Sequence, residues 1–227
     1  MRTVVYVDGF NLYYGVLRGT PFKWLDLCAL FQQVLEPGTL LEQVRYYTAP
    51  IKGNASDDPA SPQRQQCYLR ALQAYRGRQV EIVQGFISQT MPWQRLVTPS
   101  PDRSSHSTVR VFQFTERQTD VNLTADLISD AWHGRYEQAV VCSNDTDLVG
   151  ALRAVRRDHA RLTIGLVAPL RDERYLAADL RKLAHWHKVL SSAYLAGAQL
   201  PERIPGTSLT RPEAWNDVTA GVMRQPE

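Results

Sequence analysis

Four aspartates stand where an apolar run gives way to a turn or a helix start. Asp8 follows Thr3 to Val7, Asp120 precedes the helical stripe Leu123, Leu127, Ile128 and Ala131, and Asp145 and Asp147 follow Ala139 to Cys142. Carboxylates brought together repel unless one is protonated or a cation lies among them, and hard oxygen donors of this kind suit Mg²⁺ or Mn²⁺. Asn11, Ser143 and Asn144 add neutral polar groups to the same turns. Ser, Asn and Asp are also favoured N-caps, and an acid at a helix start complements the helix dipole, so the turn after Cys142 taken alone is equally well explained as a cap. What favours a shared site is that two separate strands end in acid.

The elements that must position these acids are legible from apolar spacing. Thr3 to Val7 and Ala139 to Cys142 are short continuous apolar runs of the kind found in strands buried on both faces. A strand over Leu41 to Thr48, another from Val80, a fifth over Leu162 to Val167 and an edge strand at Lys188 to Leu190 complete the β set. Helices are expected over Asn11 to Leu17, Leu25 to Leu35, Ser61 to Tyr75, from Asp120, over Leu148 to Val155 and over Tyr175 to Leu183, the last with Tyr175 facing inward. Strands alternating with helices give an α/β domain whose crossovers are right-handed. Gly85 marks a bend, and RVFQF (Arg110 to Phe114) is expected to return as a hairpin partner across an insertion spanning about 85–114. Within it Trp93, Arg95, Arg103 and His106 lie among Pro and Ser, a mixture that fits either stacking bases and binding phosphate or a disordered loop with one hydrophobic anchor. The domain is expected to occupy 1–196, and the Pro-, Gly- and Ser-rich stretch 197–227 to be poorly ordered.

The 227 residues, 44% of them hydrophobic, are ordinary for a globular chain, and a formal charge of +3 does not by itself announce a nucleic-acid binder. Cys28, Cys67 and Cys142 show no CxxC pairing and are read as buried thiols, which argues against a disulfide framework or a zinc site and fits a reducing compartment. A strand begins within three residues of Met1 and no apolar run approaches membrane-spanning length, so a cytoplasmic protein without a membrane partner is expected.

VDGFNLYYG, QTDVNLTADL and CSNDTDLVGALRAV, in that order, resemble the motifs of the NYN domain family of PIN-like nucleases, including the bacterial LabA-like proteins; the resemblance covers most of Met1 to about Val189. It implies a Rossmann-like, mainly parallel sheet of order 3-2-1-4-5 flanked by helices, carrying a metal-dependent ribonuclease site. Under it Asp8, Asp120, Asp145 and Asp147 are the catalytic and metal-binding acids, and Asn11 shares the first loop. Asn144 stands where the family usually has Gly, and Leu148 where it usually has an aromatic residue.

Around such a site Ser143, Asn144, Thr124 and Asp126 are expected to support the acids. Thr124 lies one helical turn from Asp120, whereas Asp130, ten positions on, is expected at the surface. Arg45, Arg110, Arg117 and Arg153 are candidates to track an RNA backbone, with Phe10, Tyr13 and Tyr14 to stack a base. Single-stranded RNA is the expected partner, and a homodimer is compatible with the sequence. Two other readings compete. A haloacid-dehalogenase-type phosphotransferase needs a second Asp two positions after the first, where this chain has Phe10. A catalytically inactive RNA- or protein-binding module of the same fold would use the acids as helix caps.

Overall fold

The computed structural model describes residues 1–53, 58–97, 108–171 and 175–216. In chain order the strands are β1 (Arg2–Asp8), β2 (Leu40–Thr48), β3 (Val80–Gln84), β4 (Phe86–Thr90), β5 (Trp93–Arg95), β6 (Thr108–Arg110), β7 (Gln113–Arg117), β8 (Gln138–Cys142), β9 (Thr163–Ala168) and β10 (Trp186–Val189). The α-helices are α1 (Gly9–Leu12), which continues as a π-helical turn over Tyr13–Leu17, then α2 (Leu27–Val34), α3 (Ser61–Arg76), α4 (Thr119–Trp132), α5 (Val149–Asp158), α6 (Ala178–Leu183) and α7 (Ser192–Ala196). Among the described residues no helix is long and apolar enough to cross a membrane.

Six strands form one parallel sheet in the order β10-β9-β8-β1-β2-β3. Numbering only its members, this is 3-2-1-4-5 with a sixth strand at the far edge, so the expected Rossmann-like topology holds and the edge strand after α6 extends it. The chain reverses its direction of travel between β1 and β8, which makes their carboxyl ends the crevice of the fold.

Alternation along the strands divides the interior in two. Val5 and Val7 of β1, with Val140 and Cys142 of β8, face a core built by α2, α3 and the chain after α7. Val4 and Tyr6, with Ala139 and Val141, face a second core under α4, α5 and α6. Each fully buried Leu, Val or Phe contributes roughly 1.5–3 kcal/mol relative to exposure, so a sheet covered on both faces holds its strand ends in fixed register.

The insertion is a hairpin, as expected, but its returning side is paired over Thr108–Arg110 and again over Gln113–Arg117 rather than over Arg110 to Phe114. β4 pairs antiparallel with β7, Phe86 opposite Arg117, and β5 pairs with β6, Trp93 opposite Arg110. The register carries on across the break at Met91 and Pro92, where the Val111 amide donates to the Pro92 carbonyl at 3.1 Å. Gly85 permits the bend because a Cβ there would meet the Arg117 carbonyl oxygen at 2.3 Å. Arg103 and His106 lie outside the described residues.

Several local expectations are corrected. Of the stretch 197–227, residues 217–227 lie outside the described residues, while 197–216 pack on the domain: Leu200 and Ile204 are buried, Gln199 bridges to Leu25, the Trp24 indole N–H donates to the Pro201 carbonyl at 2.8 Å, and Trp215 packs against Trp24 and Tyr68. The apolar residues scattered among the prolines join the core that contains Trp24. Tyr175 is exposed rather than inward, since α6 starts only at Ala178. Cys67 is half-buried, its thiol near the Thr210 carbonyl, whereas Cys28 and Cys142 are buried.

Candidate active site

Parallel pairing sets Val7 opposite Cys142, so the chain leaves the sheet at Asp8 and at Ser143 on one rim. Asp8 is 5% exposed, and both of its oxygens are engaged. Oδ1 accepts from the Asn11 amide at 2.9 Å, which starts α1, and Oδ2 accepts from the Ser143 hydroxyl at 2.9 Å. The Ser143 oxygen accepts in turn from the Asp145 amide at 3.0 Å, and Asp145 Oδ1 accepts from the Asp147 amide at 2.9 Å. Asn11 Oδ1 closes the circuit by accepting from the Asn144 amide at 3.0 Å. Two turns far apart in sequence are thereby held as one unit.

Gly9 is needed here for closeness rather than for an unusual backbone angle. A Cβ at that position would lie 2.5 Å from the Tyr47 carbonyl oxygen and against the Tyr46 ring. The Asn144 side chain ties the approach to α6 onto the rim, since its Oδ1 accepts from the Ala177 amide at 2.8 Å and its Nδ2 donates to the Tyr175 carbonyl at 3.2 Å. A glycine could make neither bond.

Asp120 enters from the start of α4, where Gln118 adopts a left-handed backbone (φ 78°) and Glu116 accepts from the Thr119 amide at 2.9 Å. Burial first, and then repulsion from Asp8, Asp145, Glu116 and Asp147, push the Asp120 carboxyl up to about 6. Burial likewise raises Asp8; hydrogen bonds from Asn11 and Ser143 pull the other way, and Asp145 adds repulsion. The four aspartates therefore share one electrostatic field. Glu116, which sequence reasoning passed over, belongs to that field, and its place opposite Ile87 in the hairpin is what brings it there.

Not every expected residue comes to the rim. Arg45, 7% exposed, lies within 3.1–3.3 Å of Glu81, Asp126 and Asp130, so it is a buried counter-ion and not a phosphate contact. Asp126 accepts from the Tyr47 hydroxyl at 2.8 Å and faces Arg45, which removes it from the support of Asp120. Asp130, expected at the surface, is buried and accepts from the Tyr6 hydroxyl at 2.7 Å. Being four residues apart, the two acids share a helix face, and that face is turned onto β1 and β2. Thr124 is half-buried, and Arg110, Arg117 and Arg153 are exposed. Tyr14, 56% exposed, stacks near-parallel to Phe10 at 6.5 Å, meets Tyr13 edge-on at 5.2 Å and lies under Arg18 at 5.6 Å.

The oxygens of Asp8, Asp120, Asp145 and Asp147 are of the right chemistry for a hard divalent cation, and a cation would relieve the repulsion that helps to raise Asp120. Among the described residues, however, no three His, Cys, Asp or Glu are gathered to the span of one ion. The acids act on one another through their field. Beside them a cavity of about 320 Å³ is lined by Asn11, Tyr14, Gly15, Asn144, Asp145, Thr146, Pro169 and Leu170. Gly15 lets its helix approach the Pro169 backbone on that wall, since a Cβ there would run into the Pro169 carbonyl oxygen at 2.0 Å.

The NYN domain matches residues 2–190. Along 95% of its length the chain is 34% identical to 6-hydroxy-3-succinoylpyridine 3-monooxygenase HspA of Pseudomonas putida, covering 75% of that protein. A crystal structure of a protein of unknown function from Vibrio parahaemolyticus superimposes with a TM-score of 0.49 at 16% identity, over 88% of this chain and 96% of that one.

Proposed function

The chain belongs to the NYN domain family, and from that premise we propose that it is a divalent-metal-dependent ribonuclease hydrolysing phosphodiester bonds at the aspartate-rich rim. The observation that carries this reading is the field around Asp120, raised to about 6 by burial and by four other carboxylates at the crevice of the sheet. Such a field repels a polyanion, and it suits RNA only when a cation reverses its sign. Asp8, Asp120, Asp145 and Asp147 are the residues that would hold Mg²⁺ or Mn²⁺, which supplies Lewis acidity at the phosphate and a more acidic water.

The protein's own part is placement and proton handling. Ser143 and Asn11 tie Asp8 to the Asp145 turn, so the two move as one unit. Asp120, its carboxyl pushed up to about 6, is suited to accept a proton from attacking water. Tyr13 and Tyr14 offer a face to a base, and the exposed Arg153 meets the backbone. By family resemblance the products carry 5'-phosphate and 3'-hydroxyl ends, and the substrate is single-stranded RNA of the cytoplasm. The test is digestion of a mixed RNA pool and its DNA equivalent with Mn²⁺, Mg²⁺ or chelator. Metal-dependent loss of RNA supports the reading; RNA bound but left whole makes the chain a binding module.

A second reading comes from the cavity beside Asp145. At about 320 Å³ it lies within the range that holds small ligands, and the relative in Pseudomonas putida is named for oxygen insertion into a substituted pyridine. Incubation with 6-hydroxy-3-succinoylpyridine, oxygen and a two-electron donor would report it as consumption of the pyridine that requires both oxygen and donor.

A further inference from the structure

The hairpin of β4 to β7 is charged and decorated unlike the rest of the rim. Its described residues carry Arg95, Arg110 and Arg117 against a single acid, Glu116, half-buried opposite the buried Ile87. Directly opposed residues of an antiparallel pair share a face. Trp93, 67% exposed, is therefore on one face with Arg110 across from it, and Arg95, two positions along the strand, joins them. The same pairing of an exposed ring with an arginine recurs at the base of the arm, where Phe86 stands opposite Arg117.

We propose that this arm is a binding track for single-stranded RNA, on which Trp93 stacks a base while Arg95 and Arg110 fork the flanking phosphates. An exposed indole between two guanidinium groups combines what unpaired nucleic acid offers, a π-face on every base and a negative charge between bases. A second copy of the chain is the poorer occupant, since two such arms would bring like charges together. The proposal rests on the ribonuclease reading and divides its labour. The rim is anionic and repels the strand, whereas the arm is cationic and retains it. Because β4 follows β3 through Gly85 and β7 leads through Gln118 into α4, a strand held on the arm is delivered towards Asp120.

The test is anisotropy of a labelled oligouridine with the full chain in chelator, beside its cleavage in Mn²⁺. Trp93→Ala and Arg110→Ala should each weaken binding by about tenfold, the size of one lost stacking or phosphate contact, while Trp93→Phe retains it and thermal midpoints stay level. Arg110→Ala should also reduce the salt dependence of binding by roughly one phosphate contact. Unchanged affinity in both alanine variants overturns the track, as does a shift of these variants to a smaller assembly with affinity intact, which would make the arm a self-association surface. Arm-dependent binding without cleavage by the parent chain keeps the track and removes the nuclease reading. Cleavage and binding indifferent to the arm do the reverse, and no RNA binding at low salt removes both.

Discussion

The Ser143 hydroxyl donates to Asp8 Oδ2 across 2.9 Å, joining residues 135 positions apart at the ends of neighbouring strands. The same oxygen accepts from the Asp145 amide. One small side chain therefore sets both the first acid and the turn that carries the next two. Ser143→Ala leaves a buried carboxylate oxygen and an amide without partners, at a cost of about 1–3 kcal/mol in urea unfolding. Losing a bond that lowers the Asp8 pKa should also raise that carboxyl further and weaken any dependence of the melting temperature on Mn²⁺.

Asp8→Asn and Asp145→Asn test whether the acids are catalytic or merely caps. Each substitution removes one charge from a crowded field while keeping an oxygen that can accept the local amide. RNA cleavage should disappear, and the metal-free melting temperature should hold or rise. Unfolding of both variants would assign the acids to structure instead.

The pH dependence has a definite sign. Asp120 titrates at about 6 when folded, against the ordinary carboxyl value of about 3.9 when unfolded, so the native state holds the extra proton between those values. Stability from this group is full below about pH 4 and declines as pH rises through about 6. In chelator the parent protein should therefore lose stability between about pH 4 and 7 relative to Asp120→Asn, which lacks the titration. A variant that follows the parent's pH profile would show that the field at Asp120 is weak. Saturating Mn²⁺ should remove most of the difference by stabilising the ionised form.

Arg45 gives the contrasting case. Arg45→Met strips the counter-ion from buried Asp130 and half-buried Asp126, and loss of one partner of a buried ion pair costs roughly 3–5 kcal/mol. The loss should be visible in urea titration, with RNA affinity of the folded protein unaltered. Reduced affinity at full stability would return Arg45 to the surface role its charge first suggested.

What the sequence by itself determined were the features that depend on near neighbours. Apolar runs marked β1, β2, β8 and β9, and the acids at their ends were legible because the chain must turn where burial stops. Asn11, Ser143 and Asn144 were legible as well, since those residue types are what such turns use. The hairpin was legible in outline from Gly85 and the RVFQF run, though its register was not. Tertiary structure alone decided where a charge would point. Arg45, Asp126 and Asp130 read as solvent-facing or site-facing because their partners, Glu81, Tyr6 and Tyr47, come from other strands, and no local spacing announces a contact set by sheet order. The segment around Leu200 and Ile204 was hidden for the same reason: its prolines read as loop, and only packing in the core that contains Trp24 makes that loop part of the domain. Glu116 acquired its influence on Asp120 through hairpin register. Periodicity reports which side of an element is wet, whereas the identity of the neighbour is fixed only when the sheet is assembled.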